Sequence, residues 1–386
     1  MVLKPEEDET MKKRIRALCF AVAGVALLSS GASAENYVAS TYLNPTTPLG
    51  KGGYVQFPEA VKKASKGEIT FDVHHSASLL PFRAHLKGIA DGVAHMGQIA
   101  GTYTPAEIPL QQVFADLAFA VPDPYVIAFA STEINTKNAR VLAEWSKNNV
   151  VFGGGYATTP YVLICRDVVK TLADVKGKKV RTPGSAWDRV IKHIGGVPVN
   201  VPSSEMYTGL DSGNLDCASN GLDSLKTFAL WEVAKSANKI KLGLYFSGWL
   251  MGYNKDFWKD LRPDQRRLLF NEMATAVVKT SILYHEIEAA AVNEAPKHGV
   301  QVLEPSADLQ KAVDEFAAND VATVEKVARE THKVKNPREI IDEFNATVAK
   351  WTKLLKGVDR TDEATMVKLV KREIYDQLDE KTYGLK

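Results

Sequence analysis

The sequence predicts two α/β lobes that share one long spine helix, with extra helices toward the C-terminus, on three observations. Strand-like and helix-like segments alternate in two separate blocks, the first opening at residue 37 and the second at residue 150. One helical stretch, residues 263–297, would reach roughly 50 Å, more than the ~30 Å of a small domain. At 386 residues the chain has the length of two ordinary domains.

In the first block, Tyr37-Val38-Ala39-Ser40-Thr41-Tyr42 reads as a strand and Pro58 to Ser65 as a helix closing near Gly67. Ile69 to His74 is a second strand by its β-branched alternation, and helix 82–90 ends at the Asp91-Gly92 turn. Repeated β-α-β order implies a mainly parallel sheet with helices on its faces. The second block runs strand Val150-Val151-Phe152, a glycine triplet at 153–155, then strand Tyr161 to Cys165. It continues with strand Lys179-Val180-Arg181, helix 185–194, strand 197–201, helix 204–212 and strand Leu215 to Ala218. The long helix opens on Pro263-Asp264-Gln265, a first-turn signal, and closes at Lys297-His298-Gly299. Amphipathic helices are expected at about 306–331, 337–356 and 362–376.

The N-terminus differs from the rest. Lys12-Lys13-Arg14-Ile15-Arg16 precedes an apolar run from Ala17 to Leu28, and Ala32-Ser33-Ala34 supplies an A-x-A cleavage site. Residues 1–34 therefore read as a cleaved signal peptide, because about twelve apolar residues fall short of the roughly 20 that span a bilayer. Cleavage removes five basic and four acidic residues, leaving 43 basic against 42 acidic side chains. No basic stripe interleaved with aromatics marks a nucleic-acid partner. A soluble, periplasmic mature protein is expected. Cys165 and Cys217 remain after cleavage; the compartment permits a disulfide, yet both lie in apolar strand-like contexts where a free thiol packs as a small hydrophobe, and the reading leans to free thiols.

The chemistry-bearing stretch is Asp174 to Asn220. Arg181 falls at the C-terminal end of a strand, before Pro183-Gly184-Ser185 and a helix, the edge of an open α/β sheet where ligands sit. A planar guanidinium there suits two parallel hydrogen bonds to a carboxylate. Other constellations deflate. His74-His75, His85 and His95 match no compact metal pattern, the glycine triplet precedes no Gly-Lys-Ser/Thr and is expected instead to turn the chain near a lobe crossover, and no nucleophile elbow is present. Neither a cofactor, nor a metal site, nor an enzyme's catalytic set is expected.

Asp174, Gly177, Lys179 and Arg181, then Gly195 and Pro198, then Ser204, Glu205, Tyr207, Leu210, Gly213 and Asp216 follow an extended motif run. Upstream stand Asn44-Pro45, Pro48-Leu49-Gly50, Gly67-Glu68-Ile69, Leu79-Leu80 and Asp91-Gly92; downstream stands Asn254 with Trp258 and Leu261. Over about residues 37–300 this resembles the solute receptors of tripartite ATP-independent periplasmic (TRAP) transporters, the DctP family. The resemblance implies the two-lobe periplasmic-binding-protein fold with discontinuous domains: lobe I from 35–157 plus 247–285, lobe II from 158–246 plus 286–386 with the C-terminal helical extension. It further implies capture of a small organic acid between the lobes and delivery to the small and large TRAP membrane subunits, with no nucleic acid involved.

It also implies that Arg181 pairs with the ligand carboxylate and that Asn220 presents a polar group to the cleft. A second family arginine is replaced, by spacing, with Tyr161, which shifts the expected ligand toward one clamped acid group unless Arg83 or Arg166 reads another. Trp249 and Phe246, where the chain should recross between lobes, are candidates for an aromatic wall; Tyr103 and Asn44 complete the candidate set. Two rival functions share the scaffold, a ligand sensor partnering a sensor kinase and a periplasmic enzyme, since fold alone does not fix function.

Overall fold

The computed structural model describes residues 35–386 and the isolated Met1; the expected signal peptide lies outside the described residues. Two sheets carry the chain. The first has the order β2-β1-β3-β10-β4, built from Glu35–Ser40 (β1), Ile69–His74 (β2), Met96–Ala100 (β3), Val150–Gly154 (β4) and Gly248–Asn254 (β10). Strands β1, β2 and β3 run parallel, whereas β10 runs antiparallel to both neighbours, β3 and β4. The second sheet has the order β11-β9-β5-β8-β6-β7, from Val162–Cys165 (β5), Lys179–Thr182 (β6), Val197–Asn200 (β7), Cys217–Asn220 (β8), Ser236–Asn238 (β9) and Gln301–Leu303 (β11). Within it β6, β7 and β8 are parallel, and β5 runs against β8 and β9.

The chain passes between the sheets along residues 155–161 and returns along 239–247. These two segments are tied to each other: Thr158 N donates to Tyr245 O (2.9 Å), Tyr161 N to Gly243 O (2.9 Å) and Leu242 N to Tyr161 O (2.7 Å). The third connection is the spine helix, Pro263–Glu294, whose 32 residues correspond to roughly 48 Å. Its Leu269, Met273, Val277 and Tyr284 are buried in the larger core, which fills the first lobe and reaches one face of the second sheet, while Ala291 belongs to a smaller core in the second lobe. One helix therefore supports both lobes.

Three differences from the sequence reading have physical causes. The glycine triplet does not turn the chain: Gly153 and Gly154 lie in β4, where a Cβ on Gly154 would meet Val277 of the spine helix at 2.8 Å, so the glycines admit a close helix-on-sheet approach. The last two C-terminal helices pack on the first lobe rather than the second, whereas helix Ala307–Glu330 touches helices of both. Helix Pro337–Leu354 lies on helix Pro124–Lys137, helix Glu363–Glu373 lies on the spine helix, and the hydroxyls of Tyr375 and Tyr383 donate to the carbonyls of Gly153 and Phe152 in edge strand β4, each at 2.8 Å. Last, Cys165 and Cys217 form a disulfide, because β5 and β8 place them directly opposite each other with Cα atoms 4.0 Å apart. Register decides that pairing, and register is not a local property of the sequence.

No helix among the described residues is long and apolar enough to cross a membrane.

Candidate functional site: a tyrosine-lined cavity between the two sheets

The C-terminal ends of β6 and β8 and the two crossing segments meet residues of the first sheet around one cavity, with about 60 Å3 open to the centres of water molecules. Since one water needs about 10–15 Å3 of such space, the room suits a few waters or a small molecule. Both lobes contribute: Tyr42, Leu49 and Tyr103 from the first, Arg181, Ser203, Asn220 and Asp223 from the second, and Tyr156, Thr158, Tyr161 and Tyr245 from the crossings. Tyr284 of the spine helix closes one side. Close approach of the lobes is built in at Gly184, where a Cβ would come within 2.9 Å of Thr102 across the gap.

Arg181 is the cationic centre. It sits on the interior strand β6, between β7 and β8, and is only 1% exposed. Its Nε donates to Val201 O (2.8 Å), Nη1 to Ser219 O (3.0 Å) and Nη2 to the Tyr103 hydroxyl (3.3 Å). These bonds use three of the five N–H groups of a guanidinium and leave one on each terminal nitrogen. None of the acceptors is a carboxylate. The charge is thus oriented by main-chain carbonyls and bonded to no carboxylate among the described residues. Tyr103 reaches over from the first lobe, its hydroxyl also accepting from Ser203 N at 3.2 Å.

Aromatic rings make most of the remaining wall. Tyr161 stacks near-parallel with Tyr245 (6.2 Å between centroids, 13°), Tyr156 stacks on the other contact of Tyr245 (6.2 Å, 23°), and Tyr42 lies 6.0 Å from Tyr103. Burial pushes the phenols of Tyr161 and Tyr245 well above their ordinary range, so both stay neutral. Asp223, 6% exposed, is the acidic group of the wall. Burial, reinforced by the charge of Glu288, pushes its carboxyl up to about 7.

Of the eight candidate residues, the structure brings Arg181, Tyr161, Asn220 and Tyr103 together on this cavity. The other four lie elsewhere. Trp249 is fully buried on β10 with its ring 4.6 Å from Trp145, a core tryptophan of the first lobe. Phe246 stacks at 5.5 Å on Phe344 of a C-terminal helix. Arg83 stands over the ring of Tyr103 (5.9 Å), and neither it nor Arg166 lines the cavity wall. Asn44 ties the lobes together beside the cavity, its Nδ2 donating to Thr227 O at 2.8 Å.

The reading missed Tyr42, Tyr156, Tyr245, Tyr284 and Asp223. For Tyr156 and Tyr245 a signal existed, since both flank the expected lobe crossings. Tyr284 and Asp223 carry no local mark. Among the described residues no group of three or more His, Cys, Asp or Glu side chains is arranged to hold a metal ion.

The family model of the bacterial extracellular solute-binding proteins, family 7 (DctP), matches residues 39–327. The chain belongs to this family. It is thereby a TRAP-type extracytoplasmic solute-binding protein, in a family of binding proteins and not of enzymes. A solute-binding protein of Albidiferax ferrireducens is 25% identical over 291 residues, covering 71% of this chain and 78% of that one. Among solved structures, a TRAP solute-binding protein of Rhodoferax ferrireducens in complex with copurified benzoate has a TM-score of 0.72 at 22% identity, covering 83% of this chain and 99% of that chain. A marine metagenome TRAP solute-binding protein specific for aromatic acid ligands, with 3-hydroxybenzoate, has a TM-score of 0.72 at 19% identity, covering 82% and 98%. At these identities the likeness of the DctP-family chain to the solved structures is one of fold.

Proposed function

We propose that this protein is the periplasmic receptor of a TRAP transporter, which closes its two lobes on a small organic acid in the cavity and delivers it to the membrane subunits. The observation that carries the reading is Arg181: a buried cation, held by main-chain carbonyls, with two N–H groups unspent and no carboxylate partner among the described residues. A buried charge of this kind is costly until an opposite charge reaches it, and a ligand carboxylate supplies both the charge and the bidentate geometry.

Residues from both lobes line the cavity, which fits a hinge mechanism in which ligand contacts favour the closed arrangement. Residues 155–161 and 239–247 are the flexing segments, and the spine helix is the common support. Small aromatic acids belong on the candidate list, as in the fold neighbours, because the wall is rich in tyrosine. Export through a cleaved signal peptide and the oxidising periplasm agree with the disulfide buried in the second sheet.

Calorimetric titration against a library of small acids, first screened by thermal shift, tests the receptor reading. Arg181→Ala is expected to keep the fold and lose about tenfold or more in affinity, the equivalent of roughly 1.4 kcal/mol or more. Unchanged affinity in that variant would remove the assignment of the carboxylate to Arg181.

A further inference from the structure

The cavity holds a second charge-bearing group for which a simple monocarboxylate has no use. Asp223 begins the short turn of helix Ser224–Thr227, yet its carboxylate makes no capping bond to that turn. Its one side-chain hydrogen bond comes from Thr227 Oγ1 at 3.5 Å, the far limit of such a contact. It is 6% exposed, lines the same cavity as Arg181, and has no cationic partner among the described residues. A carboxyl group so placed is under-satisfied, and buried polar groups in native structures are rarely left so without cause.

The two groups do not neutralise each other. Arg181 is bonded to Val201, Ser219 and Tyr103, and the charge that acts on Asp223 is that of Glu288 on the spine helix. The other polar neighbours of Asp223 are Thr227 on its own turn and the buried phenols of Tyr161 and Tyr284, which its charge pushes further from ionising. Among the described residues no lysine, arginine or histidine is bonded to it. An ordinary acid would satisfy Arg181 and leave Asp223 without a partner. Around both groups stand six tyrosines and Phe228, whose ring faces attract a cation electrostatically.

Resting on the receptor reading above, we infer that the ligand is a small zwitterion: Arg181 takes its carboxylate, while Asp223 and the surrounding tyrosines take a protonated or alkylated nitrogen. Charge balance favours this class, because one fixed cation and one acid are then both paired in a closed, low-dielectric space. Near neutral pH part of the Asp223 population carries a proton, and entry of the ligand cation displaces it to solvent. Binding therefore releases protons.

The test uses pairs of ligands that match in shape and differ in the positive charge: proline against cyclopentanecarboxylate, and glycine betaine against 3,3-dimethylbutanoate. In calorimetry at pH 7 on the mature protein, at least one zwitterion is expected to bind about tenfold or more tightly than its uncharged isostere. Its apparent enthalpy should vary with the ionisation heat of the buffer. Asp223→Asn, nearly identical in volume and checked by its melting curve, is expected to lose about tenfold for the zwitterion and to hold the isostere within about threefold.

Isosteres that bind as tightly as the zwitterions in both pairs, or an Asp223→Asn protein that keeps its zwitterion affinity, overturn the inference and leave the receptor reading standing. Binding of no acid of either kind overturns both.

Discussion

Two arginines stand between the lobes of this protein, Arg181 fully buried and Arg189 partly so, and their surroundings are opposite. Arg189, on helix Ser185–His193, is saturated by acids. It makes two bonds to Asp320 (Nε–Oδ1 2.7 Å, Nη2–Oδ2 2.8 Å) and a third to Asp116 (2.9 Å), whose other oxygen meets His332 at 2.6 Å. That network joins helix Pro109–Asp116, the second lobe and helix Ala307–Glu330 with its charges paired. Arg181 is held by two carbonyls and a phenol, with no carboxylate bonded to it among the described residues. The contrast separates a structural ion network from the proposed binding group more sharply than burial does, since both guanidiniums are largely out of solvent.

The largest effect should come from breaking the saturated side. Arg189→Ala strands two buried carboxylates, and urea denaturation should show a loss of about 3–5 kcal/mol with ligand affinity little changed. A loss under about 1 kcal/mol would mean that the network adds nothing to the fold. Acid should weaken the same network. Burial alone would raise the Asp116 carboxyl, but the His332 bond and the Arg189 charge outweigh it and hold it below its ordinary value. Its stabilisation is therefore full above the unfolded value near pH 4 and lost as pH falls further.

On the unsaturated side the sign reverses. The Asp223 carboxyl is raised to about 7, so the empty receptor is penalised progressively as pH rises from about 4 through 7. Asp223→Asn should accordingly stabilise the ligand-free protein at pH 8 by up to ~4 kcal/mol and change little at pH 4. A melting temperature that drops at pH 8 would contradict the idea that this group is kept for binding at a cost to the fold.

The disulfide gives the next effect. Cys165 and Cys217 close a separation of 52 residues. Replacing both with alanine is expected to cost about 2–4 kcal/mol in denaturant unfolding, with the cavity groups still in place. Smallest is the lobe-to-lobe bond of Asn44. Asn44→Ala removes a hydrogen bond worth about 1 kcal/mol that exists only when the lobes are together, so ligand affinity should fall about fivefold while unfolding of each lobe shifts little. Equal affinity would show that Asn44 does not contribute to closure.

Much of the architecture was legible in the residues. Alternation of strand and helix patterns exposed both sheets, and Pro263 together with an unbroken run of helix formers announced the spine helix, observed as Pro263–Glu294. The three C-terminal helices also appear within a few residues of their expected limits. Arg181 stood out because a strand end followed by Pro183-Gly184 is a position that topology places at a cleft. Trp249 and Trp258 show the limit of such reasoning. Neither differs locally from a cleft aromatic, and only packing against Trp145 in one case and Tyr253 in the other reveals core residues.

By itself the sequence determined the periodicities, the breaks between them and the one strand-end arginine, because these depend on residues adjacent in the chain. Tertiary structure alone decided that Cys165 faces Cys217, that the last two C-terminal helices cover the first lobe, and that Asp223 and Tyr284, 61 positions apart, share a wall with Tyr42. Each of those facts is a juxtaposition of distant segments, fixed by sheet register and by the path of the chain between lobes, and neither leaves a mark on the local pattern of residues.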